Sequence, residues 1–129
     1  MSKMDYIEAD DYYDMACQWR VEKEWEKALT SLKHVIELNR YFIYAYIDLA
    51  AIYAVRKDFH AAVSVLKKAV KLDPRFDLLY YNLARYSYKC GDIPGAAKHI
   101  DEAISLNNSE LYIKVRQVIL KKLKFNKDV

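Results

Sequence analysis

Residues 58 to 74 read DFHAAVSVLKKAVKLDP. An acid and an aromatic open the stretch, apolar residues follow at helical spacing, and Leu72, Asp73 and Pro74 stop it. The same design occurs as EWEKALTSLKHVIELNR from Glu24 and as DIPGAAKHIDEAISLNN from Asp92, an offset of 34 residues in each direction. Ala28, Ala62 and Ala96 fall in register, as do Leu32, Leu66 and Ile100, then Ile36, Val70 and Ile104, then Leu38, Leu72 and Leu106. Glu24, Asp58 and Asp92 open the copies and suit a helix N-terminus.

The segments upstream repeat at the same interval. Tyr12, Tyr46 and Tyr80 align, then Met15, Leu49 and Leu83, then Ala16, Ala50 and Ala84. Each unit is therefore a first helix, a short turn and a second helix. A small residue late in the first helix and another early in the second let the two backbones approach closely. Two helices alone cannot bury their apolar faces, so successive hairpins must stack.

The composition agrees with an all-helical chain. Two Gly and two Pro in 129 residues are too few for sheets joined by tight turns. The net charge of +3 argues for neither a nucleic-acid nor a membrane partner, but the charges are unevenly placed. Residues 1 to 26 carry eight acids against Lys3, Arg20 and Lys23, whereas residues 110 to 129 carry six Lys and Arg against Glu110 and Asp128. No apolar run approaches the roughly 18 residues of a membrane span. The acid-rich start MSKMDYIEADD has no signal-peptide pattern, so the expected location is cytoplasmic. Cys17 and Cys90 are isolated and read as ordinary reduced thiols.

The repeated unit resembles the tetratricopeptide repeat, a helix-turn-helix of about 34 residues. In the middle copy Tyr46, Leu49, Ala50 and Tyr53 match its first helix, and Ala62, Leu66, Ala69 and Pro74 its second. The third copy follows with Tyr80, Leu83, Ala84, Gly91, Ala96, Ile100 and Ala103, with Asn108 where Pro is usual. The first is looser: Trp19 and Trp25 hold aromatic places, Val35 replaces the second Ala and Arg40 the Pro. Gly91 supplies the family's turn glycine, but Lys23 and Lys57 stand there in the other copies, which points to strained or differently built turns. The resemblance implies an all-α, right-handed superhelix forming a single domain over 1–129, with repeats at about 9–42, 43–76 and 77–109. A seventh helix is expected over about 109–125 as a solvating cap. Its apolar stripe is expected to be Leu111, Val115, Val118, Ile119 and Leu123, with Tyr112, Ile113 and Leu120 off it.

No catalytic residue, metal ligand or cofactor follows from the sequence. His34, His60 and His99 fall at different places within their repeats, and no Ser-His-Asp or Cys-His arrangement, phosphate loop or HExxH is present. The basic tail residues Lys121, Lys122, Lys124 and Lys127 read as a solvated helix end rather than a nucleic-acid contact. Much of the tyrosine content falls at repeat packing positions.

By resemblance, the first helices line the concave side. The family's inward places bring Asp10, Tyr13, Asp14, Cys17 and Arg20 from the first copy, and Tyr44, Ile47, Asp48, Ala51 and Ala54 from the second. The third presents Leu78, Tyr81, Asn82, Arg85 and Tyr88. The stretch FIYAYIDLAAIYAV from Phe42 to Val55 is apolar almost all round, so its groove side calls for a cover. An apolar strip of Tyr44, Ile47, Leu78 and Tyr81, flanked by Asp14, Asp48, Asn82 and Arg85, is the expected binding surface. Co-chaperone members of the family clamp an acidic C-terminal carboxylate with Lys, Asn and Arg; the matching places here hold Tyr13, Cys17, Asp48, Leu78 and Asn82, and Asp48 is expected to repel a carboxylate. The function expected is a non-enzymatic adaptor that binds a partner protein's peptide segment, apolar with a basic residue nearby. Two readings compete with it. One is a holder of unfolded clients like the three-repeat secretion chaperones, disfavoured because residues 1–8 are too short for their extra helical segment. The other is homo-oligomeric assembly of the acidic end on the basic end.

Overall fold

The computed structural model describes residues 2–128. Its seven helices are α1 (Lys3–Val21), α2 (Trp25–Leu38), α3 (Ile43–Val55), α4 (Phe59–Leu72), α5 (Asp77–Lys89), α6 (Ile93–Leu106) and α7 (Glu110–Asp128). Helices α1 to α6 form three hairpins that stack in chain order into a right-handed superhelix, and α7 packs on the third. The two alanines of each hairpin, Ala16 with Ala28, Ala50 with Ala62 and Ala84 with Ala96, are fully buried. Around them lie three apolar clusters, centred on Leu32 and Ile52, on Leu66 and Leu79, and on Ile100 and Ile119.

The hairpin turns are built alike in all three copies. Lys23 (φ 59°), Lys57 (φ 61°) and Gly91 (φ 86°) all adopt the left-handed conformation. Their own N–H groups donate to Arg20, Ala54 and Tyr88, and the next residues, Glu24, Asp58 and Asp92, donate back to Trp19, Tyr53 and Ser87 at 2.8–3.0 Å. This paired closure satisfies the orphan carbonyls of the first helix and ordinarily uses glycine. The lysines do not change the turn; they occupy it under strain. On the far side of the turn, the Asp58 and Asp92 carboxylates cap α4 and α6 by accepting from the N–H groups of Ala61 (3.2 Å) and Gly95 (3.0 Å). Glu24 makes no such bond.

Between hairpins, the Tyr46 hydroxyl donates to the Arg40 carbonyl and the Tyr80 hydroxyl to the Pro74 carbonyl, each at 2.8 Å. Arg40 thus serves as well as Pro74, because the carbonyl is what the tyrosine needs.

The ends of the stack differ from the expectation. Helix α1 begins at Lys3, capped by a reciprocal bond pair between Ser2 and Asp5, so residues 3–8 extend the first helix. Met15, which aligns with the buried Leu49 and Leu83, is 46% exposed because no helix among the described residues covers that flank. At the other end the connection Asn107–Ser109 is one residue shorter than Asn39–Phe42 or Asp73–Phe76. One residue is about 100° of helical phase, and α7 turns accordingly. Tyr112 and Ile119 are buried and Val115 and Leu123 packed, while Leu111 and Val118 are exposed. The stripe read from the sequence was therefore wrong in Leu111, Val118 and Tyr112.

Two stability measurements test this packing. Ala62→Leu should lower stability by about 1–3 kcal/mol through overpacking, read as an earlier denaturant midpoint. Lys57→Gly should raise it by about 0.5–1 kcal/mol, since relief of left-handed strain exceeds glycine's added unfolded-state entropy; an unchanged or earlier midpoint would contradict strain at that turn.

Candidate functional site

The inward places of α1, α3 and α5 fall into three groups. The first is a polar cluster between α1 and α3. Asp48 accepts from the Tyr13 hydroxyl at 2.5 Å and from Arg20 Nη1 at 2.8 Å, with its side chain largely buried. The Tyr13 ring also lies 4.7 Å from that of Phe42. Burial, followed by the bond to the Asp48 carboxylate, raises the Tyr13 hydroxyl well above its ordinary pKa. The expectation that Asp48 repels an incoming carboxylate is corrected by this arrangement: Arg20 neutralises it across the interhelical gap. The exposed acids left on this side are Asp10 and Asp14.

The second group is apolar. Tyr44 is 55% exposed and its ring meets the Phe76 ring edge-on at 5.7 Å, across the junction of α3 with the loop before α5. Ile47 is half-buried against the cluster of Tyr46 and Leu83, and Leu78, Ala51 and Ala54 are half-buried. Cys17 is half-buried on α1, and both cysteines are free.

The third group sits at the α5–α7 end. The Tyr81 ring stacks on Tyr112 of α7 at 5.0 Å, so the last member of the apolar strip is partly covered by the chain itself. The Tyr112 hydroxyl donates to Asp77 at 2.6 Å, and Asn107 Nδ2 donates to the same oxygen at 3.2 Å. The bond from Tyr112 is the main reason the Asp77 carboxyl lies below its ordinary pKa, while burial followed by the bond to Asp77 raises the Tyr112 hydroxyl. Asn82 is buried and accepts from Arg85 Nη1 at 3.1 Å. The Arg85 guanidinium lies over the Tyr81 and Tyr86 rings, 5.4 and 5.6 Å from their centres. Arg85 and Tyr88 also line a cavity of about 180 Å³ with Val115, Val118 and Ile119 of α7. Sequence reasoning missed Tyr112, Asp77 and Phe76; only the shortened α6–α7 connection signalled the first.

Among the described residues no three His, Cys, Asp or Glu side chains gather to hold a metal ion, and no helix is long and apolar enough to cross a membrane. His34 stands edge-on to Tyr12, and His99 is half-buried, its pKa lowered by burial and by Lys67 and Lys98.

Comparison with known proteins finds the tetratricopeptide repeat family over residues 43–76. No curated protein matches the chain in sequence. Solved structures do match in fold. The first tetratricopeptide domain of Spaghetti (RPAP3), bound to the HSP90 peptide SRMEEVD, is 16% identical, with TM-score 0.86 over 92% of this chain and 95% of that one. The Sgt2 domain from Aspergillus fumigatus is 16% identical, with TM-score 0.85 over 95% of this chain and 83% of that one. MamA from residue 41 onward, of Desulfovibrio magneticus, is 17% identical, with TM-score 0.80 over 93% of this chain and 68% of that one.

The Tyr112–Asp77 bond has a pH signature. Asp77, held low in the fold, contributes stability above the ordinary carboxylate range near 3.9, and that contribution is lost as pH falls through its folded pKa. Tyr112, held high, contributes below about pH 10 and loses its contribution as pH rises past that. Tyr112→Phe should therefore cost about 1 kcal/mol between roughly pH 5 and 9. The difference from the parent should shrink as pH falls through the lowered folded-state pKa of Asp77, as read from paired denaturant curves.

Proposed function

We propose that this chain, which matches the tetratricopeptide repeat over residues 43–76 and that family's solved structures in fold, is a non-enzymatic adaptor holding a peptide segment of a partner protein in its concave groove. The observation that carries the reading is Tyr44. A large aromatic that meets Phe76 edge-on yet stays more than half exposed in the middle helix, beside half-buried Ile47 and Leu78, offers free aromatic surface to a ligand. Rigid aromatic side chains of this kind commonly dominate peptide affinity.

The surroundings define the ligand. Asp10 and Asp14 favour a basic residue toward the first hairpin. Beyond the apolar centre, the chain supplies Arg85, Asn82 and Tyr88 before α7 closes the surface at Tyr81. The RPAP3 structure holds a peptide with two glutamates and a terminal aspartate. This groove does not suit such a ligand: Arg20 is committed to Asp48, and the places where the family keeps its carboxylate clamp hold Tyr13, Cys17, Asp48, Leu78 and Asn82. The ligand proposed is an extended apolar segment carrying a basic residue, not an acidic tail.

Peptides selected on the immobilised protein from a random library should share an apolar pair next to Lys or Arg. They should bind at about micromolar Kd, near −8 kcal/mol. Tyr44→Ala should weaken them at least tenfold, about 1.4 kcal/mol, with helical circular dichroism unchanged. Selected peptides that bind Tyr44→Ala as tightly as the parent, or that shift backbone amide resonances of α2, α4 and α6 instead of α1, α3 and α5, would overturn the reading.

A further inference from the structure

Among the described residues every helix from α2 to α6 is packed between neighbours, whereas α1 and α7 each keep a flank that no other described residue covers. On α1, opposite the fully buried Ala9 and Ala16, the places Met4, Ile7, Asp11, Asp14, Gln18 and Val21 alternate at spacings of three and four residues, and all six are exposed. On α7, away from buried Tyr112 and Ile119, Leu111, Lys114, Val118, Lys121, Phe125 and Asp128 alternate in the same way, and all six are exposed. Spacing of three and four alternately is that of a helix-to-helix seam. Neither helix needs such a seam for its own hairpin.

We infer that α1 of one copy docks antiparallel on α7 of a second copy, through these seams. The antiparallel alignment places Ile7 against Phe125, Val21 against Leu111 and Asp11 against Lys121, with Gln18 beside Lys114. The antiparallel alignment also sets Met4 against Asp128 and Asp14 against Val118; the parallel alignment keeps a single apolar pair, Met4 with Leu111, and the pair Asp14 with Lys121, but sets Ile7 against Lys114, Asp11 against Val118 and Val21 against Asp128. Both helices run 19 residues, so the seams coincide over their full length. Charge complementarity selects the partner: the α1 flank carries Asp11 and Asp14, the α7 flank Lys114 and Lys121 with Asp128 at its end, and Asp11, Asp14 and Lys121 form no ion pair among the described residues, whereas Lys114 pairs with Glu110. A cleft of about 420 Å³ lined by Tyr88, Val118, Lys121, Lys122 and Phe125 receives the apolar side chains of the incoming helix. The surfaces lie at opposite ends of one chain, so the contact is heterologous and propagates head to tail rather than closing as a two-fold dimer.

Sedimentation velocity of the full chain at rising concentration tests this. The parent should grow beyond a dimer in low salt and shift back toward monomer at about 1 M salt, where charges separated by more than about 3 Å are screened. Asp11→Lys and Lys121→Glu should each weaken association at least tenfold while keeping parental circular dichroism. Their equimolar mixture should associate again, since each variant retains one native end and meets a complementary charge at the other. A parent monomeric up to about 1 mM in low salt, association indifferent to both reversals, or a mixture no more associated than its components would overturn the inference. Tyr44 plays no part in the contact, so Tyr44→Ala should assemble as the parent does whatever the outcome for peptide binding.

Discussion

The fold rests on how closely the two helices of each hairpin approach. Six alanines with no exposed surface mark the three crossings. A methyl group on each side sets the interhelical distance at the short end of the usual 8–10 Å range. The larger side chains one turn further along, Leu32, Leu66 and Ile100, are fully buried and complete the core. A larger side chain at one crossing would reach beyond its own pair, because the inter-hairpin clusters are built from the outer faces of the same helices.

Close packing also explains where polar groups appear between successive first helices. The superhelix brings α1, α3, α5 and α7 side by side on the concave surface, and at two of these junctions a carboxylate is taken up by a tyrosine hydroxyl: Asp48 by Tyr13, and Asp77 by Tyr112. A second donor completes each carboxylate, Arg20 in one case and Asn107 in the other. At the α3–α5 junction the contact is aromatic instead, Tyr44 on Phe76. Half-buried carboxylates without partners would carry a desolvation cost; with two donors each they orient the helices while adding little net charge to the groove. The apolar middle junction is consequently the part of the concave surface where a ligand meets the least competition from groups already engaged.

The sequence was legible where the structure is periodic. The 34-residue interval, the alanine pairs and the positions of Leu32, Leu66 and Ile100 predicted hairpins and core together, because each apolar place is set by the same neighbours in every copy. It was less legible where a single residue decides. Lys23 and Lys57 suggested different turns, yet the two returning hydrogen bonds outweigh the backbone strain. Helix α7 was assigned a stripe from its own hydrophobicity, but a connection shortened by one residue rotated it, and Tyr112 became core while Val118 became surface. The pairing of Asp48 with Arg20 spans 28 residues and follows no periodic rule. Long-range polar partners are chosen by the geometry of stacked helices, which periodicity locates only to within a helix face.

Repeat arrays carry a problem that closed folds avoid. Each hairpin buries one flank on the hairpin before it and one on the hairpin after, so the first and last elements inherit faces shaped for neighbours. An end made wholly polar has no use for a neighbour. The α1 and α7 flanks are instead half apolar and half polar, with Asp11 and Asp14 on one and Lys114, Lys121 and Asp128 on the other. Exposed Ile7, Val21, Leu111 and Phe125 favour burial against another helix, whereas like charges oppose α1 on α1 or α7 on α7. Attraction between unlike ends and repulsion between like ends leave one mode of growth, in which each added chain presents the same free ends again. The junction at Tyr44 and Phe76 lies on the middle hairpin boundary, so stacking of chains would leave that apolar centre open while engaging the outer groove residues Asp14 and Tyr88.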